Sequence, residues 1–398
     1  MTISASDRTG PLKDIVVVDM TRFLSGPYCT LLLSDLGARV IKIESPGKGD
    51  ESRYVPPIVG PDSPYFMSIN RGKESIALDL KKQDDLALLD ELLQGADVLV
   101  ENFRPGTMEK LGLSAEVLAE RYPQLVFASI SGFGQTGPWR TLPAYDLVVQ
   151  ALSGLMSVNG QPDGPPTRVG TSIGDLGAGV YAALSIVSAI NERHRTGKGG
   201  RVDIAMLDCQ VALLESHFMR YDVTGEIPGR VGSRHPLIVP FDAFQCADSY
   251  MVVCTVGDGL YSRLVNAIGR PDLVDDPRFS SPAIRLENEA LMKQELEQIF
   301  RAKERSHWLQ VIGDAGIPCG PINNIAEIAD SPQLDARNLF VKVDSETGYS
   351  FRAVRTPVRQ LDEEEAAKVQ RAPKVDEHGP AIRAELAARR AVLADANG

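Results

Sequence analysis

From residue 15 to residue 208 the chain alternates short β-branched runs with segments of helical period. Ile15-Val-Val-Val-Asp19 has the pattern of a buried strand, residues 28–36 carry a helical one, and Val40-Ile-Lys-Ile-Glu44 is the next strand. After this βαβ opening, strands are predicted at 75–80, 97–101, 125–131 and 201–206, with helices at 84–93, 114–121, 145–156 and 176–193. Such alternation predicts an α/β fold with a mostly parallel sheet covered on both faces.

A second region begins near Thr224, where Gly225, Pro228, Gly229, Gly232 and Pro236 interrupt the periodicity and predict a linker. Residues 241–246 and 250–256, separated by Ala-Asp-Ser, predict a hairpin, and helical segments follow at 260–268, 285–300 and 306–315. These make a smaller α/β unit. Residues 316–323 contain two prolines and two glycines and predict a return linker; residues 339–357 look stranded again. The tail after Asp362 is rich in Ala, Glu, Arg and Lys, the composition of one or two surface helices.

Composition narrows the function classes. Of 398 residues, 43% are hydrophobic and 24% charged, which supplies ample core and excludes global disorder. Lys plus Arg number 42 against 53 Asp plus Glu, a net charge of −11 that argues against a nucleic-acid partner but not against a local basic site for an anion. Cys29, Cys209, Cys246, Cys254 and Cys319 form no CxxC pair, and the five histidines form no HExxH or HxH arrangement, so neither disulfides nor a metal site is expected. Residues 1–14 lack a signal-peptide pattern. The longest apolar passage, 180–190, is shorter than the roughly 20 residues a bilayer needs. The expectation is therefore a cytoplasmic protein that does not engage a membrane.

Familiar phosphate loops are missing. No Walker A motif occurs, and the turn after the first strand, Thr21-Arg-Phe-Leu-Ser-Gly-Pro27, offers no glycine cradle for a dinucleotide. Nor is there a GxSxG elbow for a serine hydrolase. Two segments carry chemistry instead. Gly170-Thr-Ser-Ile-Gly-Asp-Leu-Gly-Ala-Gly179 leads into the most apolar helix, with Asp175 at its start, either as an N-cap or as a carboxylate held ionised by the helix terminus. Small neighbours would let a bulky reacting group approach it. Glu101-Asn-Phe-Arg-Pro-Gly106 follows a buried strand at the edge where open α/β sheets bind ligands, placing Asn102 and Arg104 to meet an anion. Lys73, Lys81 and Lys110, taken singly, look solvated.

Taken together, several phrases resemble the family III CoA-transferases, which include formyl-CoA transferase and carnitine CoA-transferase. They are Val18-Asp-Met-Thr21 with Ser25-Gly-Pro27, Gly37-Ala-Arg-Val-Ile-Lys-Ile-Glu44, Lys73-Glu-Ser-Ile-Ala-Leu-Asp-Leu-Lys81 and Asp97-Val-Leu-Val-Glu-Asn-Phe-Arg-Pro-Gly106. Ser129-Ile-Ser-Gly-Phe-Gly-Gln-Thr-Gly-Pro138, Tyr145-Asp146, Asp175 and Arg193-His-Arg-Thr-Gly-Lys-Gly199 continue the match. The resemblance implies a Rossmann-like large domain, with Asp175 as nucleophile and coenzyme A as a substrate, not a tightly bound cofactor. It implies CoA contacts at Leu24, Ser25, Ser45, Leu78, Lys81, Asn102, Phe103, Arg104, Lys110 and Tyr145. Asp175 would form an acyl-aspartyl anhydride and then an aspartyl-CoA thioester, needing no external base because it is already charged.

The family layout also implies an interlocked homodimer, with 1–223 as the first part of the large CoA-binding domain, 224–323 as the small domain with its linkers, and 324–398 returning to the large domain. Departures bear on substrate. Leu24 stands where formyl-CoA transferases carry Gln, and Arg234-His-Pro-Leu-Ile-Val-Pro240 replaces their glycine run, which points away from formate exchange and toward succinyl-CoA or larger acids. Arg234, with His235 beside it, is a candidate partner for a substrate carboxylate. Racemases of the same family use a His where this chain has Tyr145, and a phenol replaces imidazole poorly in two-way proton transfer near neutral pH. A racemase and a silent acyl-CoA binder are the alternatives.

Overall fold

A computed structural model of the chain describes residues 8–358 and 370–397. The chain forms two compact units, one built from Met1–Leu155, Val169–Val223 and Asp335–Gly398, the other from Met156–Arg168 and Thr224–Leu334.

The first unit is organised by a parallel sheet of six strands: β1 (Val16–Asp19), β2 (Arg39–Glu44), β3 (Glu74–Ala77), β4 (Val98–Glu101), β5 (Val126–Ser131) and β6 (Gly200–Ala205), in the order β3-β2-β1-β4-β5-β6. Val17 pairs with Val40 on one side and Val98 on the other. The chain leaves β1 toward β2 and β3, then returns to build β4 to β6 on the opposite side, so the order reverses between β1 and β4. That crevice is the favoured ligand position in open α/β sheets.

Both faces of the sheet are covered, which is why its strands read as continuous apolar runs. On one face Val17, Val40, Val98, Val126 and Ile130 pack with α1 (Ser25–Asp35) and with a long helix at Ile173–Thr196. On the other, Val18, Ile41, Ile76, Leu99 and Phe127 pack beneath α3 (Gln83–Leu93) and α5 (Ala115–Arg121), along with Ile382 and Leu386 of a C-terminal helix, Gly379–Asn397. Between these lie α2 (Pro64–Asn70), α4 (Thr107–Lys110) and α6 (Asp146–Leu152), then a single turn, α7 (Leu155–Val158). The long helix Ile173–Thr196 is α8, followed by α9 (Met206–Ala212) and α10 (Glu215–Thr224). Asp376 and His378 accept bonds from the Ala77 and Ser75 amides of edge strand β3, which closes an otherwise open sheet edge.

Several boundaries move from expectation. The helix predicted at 28–36 begins at Ser25, because Ser-Gly-Pro has no apolar period yet Pro27 lies in the first turn, where its missing N–H costs no bond. The helix predicted at 145–156 ends at Leu152. By length and composition α8 could cross a membrane, unlike the shorter run anticipated from 180–190, but one side of it is core: Ala178, Ala182, Ile186 and Ile190 are buried against the sheet and α1.

The second unit holds the antiparallel hairpin β7 (Phe241–Gln245) and β8 (Tyr250–Cys254), as the two short apolar runs predict. The stretch 316–323 is not merely a linker: β9 (Cys319–Pro321) pairs with β8, and its Pro and Gly content hid it from pattern alone. Around this sheet stand α11 (Gly257–Ala267), α12 (Pro282–Glu287), α13 (Glu289–Phe300) and α14 (Arg305–Asp314). The single helix predicted at 285–300 is thus two, broken at Asn288. Short helices α15 (Ile325–Ala329) and α16 (Pro332–Ala336) follow. The hairpin β10 (Phe340–Asp344) and β11 (Ser350–Val354), in the first unit, matches the strand pattern at 339–357. Of the tail after Asp362, residues 363–369 lie outside the described residues, and α17 (Gly379–Asn397) supplies the expected helix.

Candidate active site

The turn from β1 into α1 is braced from two sides. Phe23 sits at φ 60°, the left-handed region that a non-glycine residue occupies only under constraint. Its constraints are visible. Asn102, one residue past β4, accepts from the Arg22 N–H and donates to the Arg22 carbonyl, both at 2.8 Å, and donates to the Ser25 hydroxyl at 3.3 Å. From the other side Asp50 accepts the Phe23 N–H at 3.3 Å. Asn102 therefore staples the two strand ends at the crevice, while Arg22 lies over the Phe103 ring.

Beneath the turn is a buried ionic layer. Lys42 and Lys73 both lie in the interior: Lys42 pairs with Asp50 at 2.9 Å and donates to the Thr21 carbonyl at 2.8 Å, and Lys73 pairs with Asp19 at 3.1 Å. Lys73 also donates to Asn70, Thr30 and the Pro27 carbonyl, so its ammonium is fully satisfied. Burial alone would raise Asp19, but Lys42 and Lys73 override it and hold the carboxyl well below the usual range. Burial is the larger influence on Lys73, whose ammonium is pushed down to about 8 against the pull of Asp19. Lys73 is thus not the solvated lysine its sequence neighbourhood implied. The clue was Lys42, a lysine between two isoleucines in a doubly covered strand, which has no route to water and must find buried partners.

Asp175 stands at the third position of α8 and is not its cap; Ser172, three residues earlier, is the N-cap and makes no side-chain capping bond. Gly179, one turn on, is pressed against α1: a Cβ there would lie 2.9 Å from the Ser25 carbonyl oxygen and 3.0 Å from the Tyr28 ring. This contact brings the starts of α1 and α8 together, with the Ser25 hydroxyl near enough to the Asp175 carboxylate to favour its charged form. Asp175 is half-buried, and burial first, then the negative charge of Asp146, push its carboxyl up to about 7 against the Ser25 hydroxyl. Burial and the charge of Asp146 thus work against the ionised form of a carboxyl that the sequence led one to expect fully charged. Tyr65 on α2 is pushed up to about 12 by burial and then by the charges of Asp175 and Asp50.

The other expected positions fall along the carboxyl edge of the sheet. Leu24 and Ser25 follow β1, Ser45 follows β2, Leu78 and Lys81 follow β3, and Asn102, Phe103 and Arg104 follow β4. Ser45, Lys81, Arg104 and Lys110 are exposed, whereas the Leu78 side chain is in the core, so a ligand would meet its backbone. Arg104 lines a shallow open cleft with Glu101, Ser129, Gln135 and Arg201. Glu101 there is raised to about 7 by burial, against the opposing influence of the nearby Ser129 hydroxyl and the bond from the Phe103 N–H. Tyr145, 73% exposed, is the N-cap of α6.

Arg234 and His235 belong to the second unit. Arg234 pairs with Glu289 at 3.2 Å and donates to the carbonyls of His235 and Pro236, while His235 stacks on Phe241 and accepts the Leu237 N–H. The guanidinium already has a carboxylate partner, so an acid substrate would have to compete with Glu289. Three residues escaped the sequence argument for the site: Asp146 and Gln210, buried beside the start of α8, and Tyr65.

A family model described as CoA-transferase family III matches residues 12–379. Acetyl-CoA:oxalate CoA-transferase of Acetobacter aceti is 46% identical, over 95% of this chain and 96% of its own. Succinyl-CoA:mesaconate CoA-transferase of Haloarcula hispanica is 39% identical, over 95% and 96%. Among solved structures, a CAIB/BAIF family protein from Brucella suis superposes with a TM-score of 0.84 at 37% identity, covering 95% of this chain and 100% of that one.

Proposed function

The chain belongs to CoA-transferase family III, enzymes that exchange CoA between thioesters and acids, and on that premise we propose that it moves CoA from an acyl-CoA donor to a dicarboxylic acid through covalent intermediates on Asp175. The observation that carries this is the position of Asp175, a half-buried carboxylate on the first turn of α8, close against the braced β1–α1 turn at the sheet's reversal point.

The steps balance as follows. The Asp175 carboxylate attacks the donor carbonyl, the C–S bond breaks, and CoA leaves as thiolate from an acyl-aspartyl anhydride. The thiolate attacks the aspartyl carbonyl, releasing the donor acid and leaving an aspartyl-CoA thioester. The acceptor carboxylate repeats the sequence in reverse, forming its own anhydride with Asp175 and then taking the CoA. Every step exchanges one acyl leaving group for another, so no general base or metal is called for. Exclusion of water protects the activated aspartyl carbonyl.

Leu24, Ser25, Ser45, Lys81, Asn102, Phe103, Arg104 and Lys110 span the ends of four adjacent strands, a length of edge that suits an extended CoA, with the exposed cations toward its phosphates. Tyr145 would flank the thioester end. A dicarboxylate acceptor is favoured because the relatives above are named for oxalate and mesaconate. Succinyl-CoA is one candidate donor and acetyl-CoA another. Oxalate as acceptor thus stays open even though Leu24 argues against formyl-CoA.

A homodimer is proposed on a separate observation. Val180, Leu184 and Val187 lie at helical spacing on the side of α8 turned away from the core, and all are exposed, Leu184 by 61%. An apolar stripe on a core helix is the pattern of a face covered by another chain. The five cysteines are free, which suits the cytosol. The transfer itself is tested by offering succinyl-CoA or acetyl-CoA with a panel of mono- and dicarboxylic acids and following new thioesters by mass spectrometry. Asp175→Ala should lower turnover by at least roughly a thousandfold while still binding CoA; full turnover in that variant would remove Asp175 from the chemistry.

A further inference from the structure

An aspartate in the first turn of a helix ordinarily folds back onto the free backbone N–H groups there, which stabilises its charge and blunts it as a nucleophile. In α8 another carboxylate has taken that place. Asp146, the first residue of α6, is only 8% exposed, and its Oδ1 accepts the Gly174 N–H at 2.7 Å. Its Oδ2 accepts from Gln150 Nε2 at 2.7 Å, and Gln150 Oε1 in turn accepts the Val169 N–H at 2.9 Å. One clamp therefore holds both the segment entering α8 and the residue preceding Asp175. Gly174 is needed for it, since a Cβ there would lie 2.1 Å from Gln210 Nε2 and 3.0 Å from Asp146 Oδ1. Gln210 is buried, its Oε1 accepting from the Ser153 hydroxyl at 3.0 Å while its Nε2 has no hydrogen-bond partner. Among the described residues, no ion pair neutralises Asp146.

We propose that Asp146 is a positioning residue for the Asp175 nucleophile: it occupies the Gly174 amide, keeps Asp175 from capping its own helix, and by its charge keeps the Asp175 carboxylate reactive. The inference rests on Asp175 being the nucleophile. Among the described residues, the groups that act on Asp175 are few. Asp146 comes from α6, the Ser25 hydroxyl from α1 and the Tyr65 phenol from α2, with the neutral Gln210 amide of α9 beside the preceding Gly174. Asp146 is the one other carboxylate among them.

The test is the pH dependence of kcat/KM in the full-length enzyme and in Asp146→Asn, which can still accept the Gly174 N–H but carries no charge. The wild-type acid limb should fall near pH 7, and in Asp146→Asn it should move at least one pH unit lower, with kcat at pH 8 reduced about tenfold and the KM for acyl-CoA little changed. An acid limb that stays within 0.3 unit of wild type in a normally folded variant overturns the inference. Should Asp146→Asn not fold, 13C NMR of carboxyl-labelled aspartate in the wild type and in Asp146→Ser decides, with the Asp175 signal assigned by its loss in Asp175→Asn. A midpoint near 7 that falls in Asp146→Ser supports the role; a midpoint below 5 in the wild type, or one unmoved in Asp146→Ser, overturns it. Turnover by Asp175→Ala would sink the nucleophile assignment itself, whereas an unmoved limb with Asp175 still modified by hydroxylamine would sink only the role of Asp146.

Discussion

At Asp175, reactivity and stability oppose each other. The folded chain holds a proton on this carboxyl up to about pH 7, whereas the unfolded chain releases it near pH 4. Between those values the native state binds more protons than the unfolded one, so stability falls as pH rises from about 4 to about 7 and is level above that. Asp175→Asn removes this burden. It should be more stable than wild type by roughly 1–3 kcal/mol at pH 8 and equal to it near pH 4, while losing transfer activity. Parallel thermal melts at the two pH values check this, and equal melting temperatures at both would contradict the buried, raised carboxyl. The same position shows what a sequence conveys about single residues. Asp175 stood out because glycines surround it, but its neighbour Asp146 reads as an ordinary first-turn aspartate until its bond to Gly174 is seen. Lys73 likewise gives no local sign of the carboxylate, hydroxyl and two carbonyl oxygens that enclose it.

Among the elements, the contact of α1 with α8 does most to place the site. Ala at position 179 would gain about 1 kcal/mol of helix propensity over Gly, yet its Cβ would press on the Ser25 carbonyl and, at 3.3 Å, on the Cys29 amide nitrogen. Backbone cannot swing aside as a side chain does. Gly179→Ala is therefore expected to destabilise the protein by roughly 1–3 kcal/mol in denaturant melts and to depress kcat, because separating the helices moves Ser25 from Asp175; an unchanged melting curve with full activity would show the contact to be looser. The elements themselves were legible wherever burial on both faces forces a continuous run, as in β1, β2 and β5. They were illegible where pairing partners distant in sequence make the strand. Cys319-Gly-Pro321 becomes β9 only because β8 offers it an edge, and Ser25-Gly-Pro27 becomes helical through its packing on Gly179.

For the whole molecule, the exposed stripe on α8 and the proposed covalent chemistry bear on the same helix. If Val180, Leu184 and Val187 are covered by a second chain, sedimentation should show twice the monomer mass, and Leu184→Glu should yield monomers or aggregates with lowered activity. A fully active monomer at all concentrations would contradict the dimer. The claim on which the rest depends is that CoA passes through Asp175. The most direct measurement is to mix the enzyme with acyl-CoA, quench with hydroxylamine and map the modified peptide by mass spectrometry. A hydroxamate at Asp175 that appears only with acyl-CoA is the expected result. Formation of a new thioester with Asp175 unmodified, and undiminished in Asp175→Ala, would contradict it.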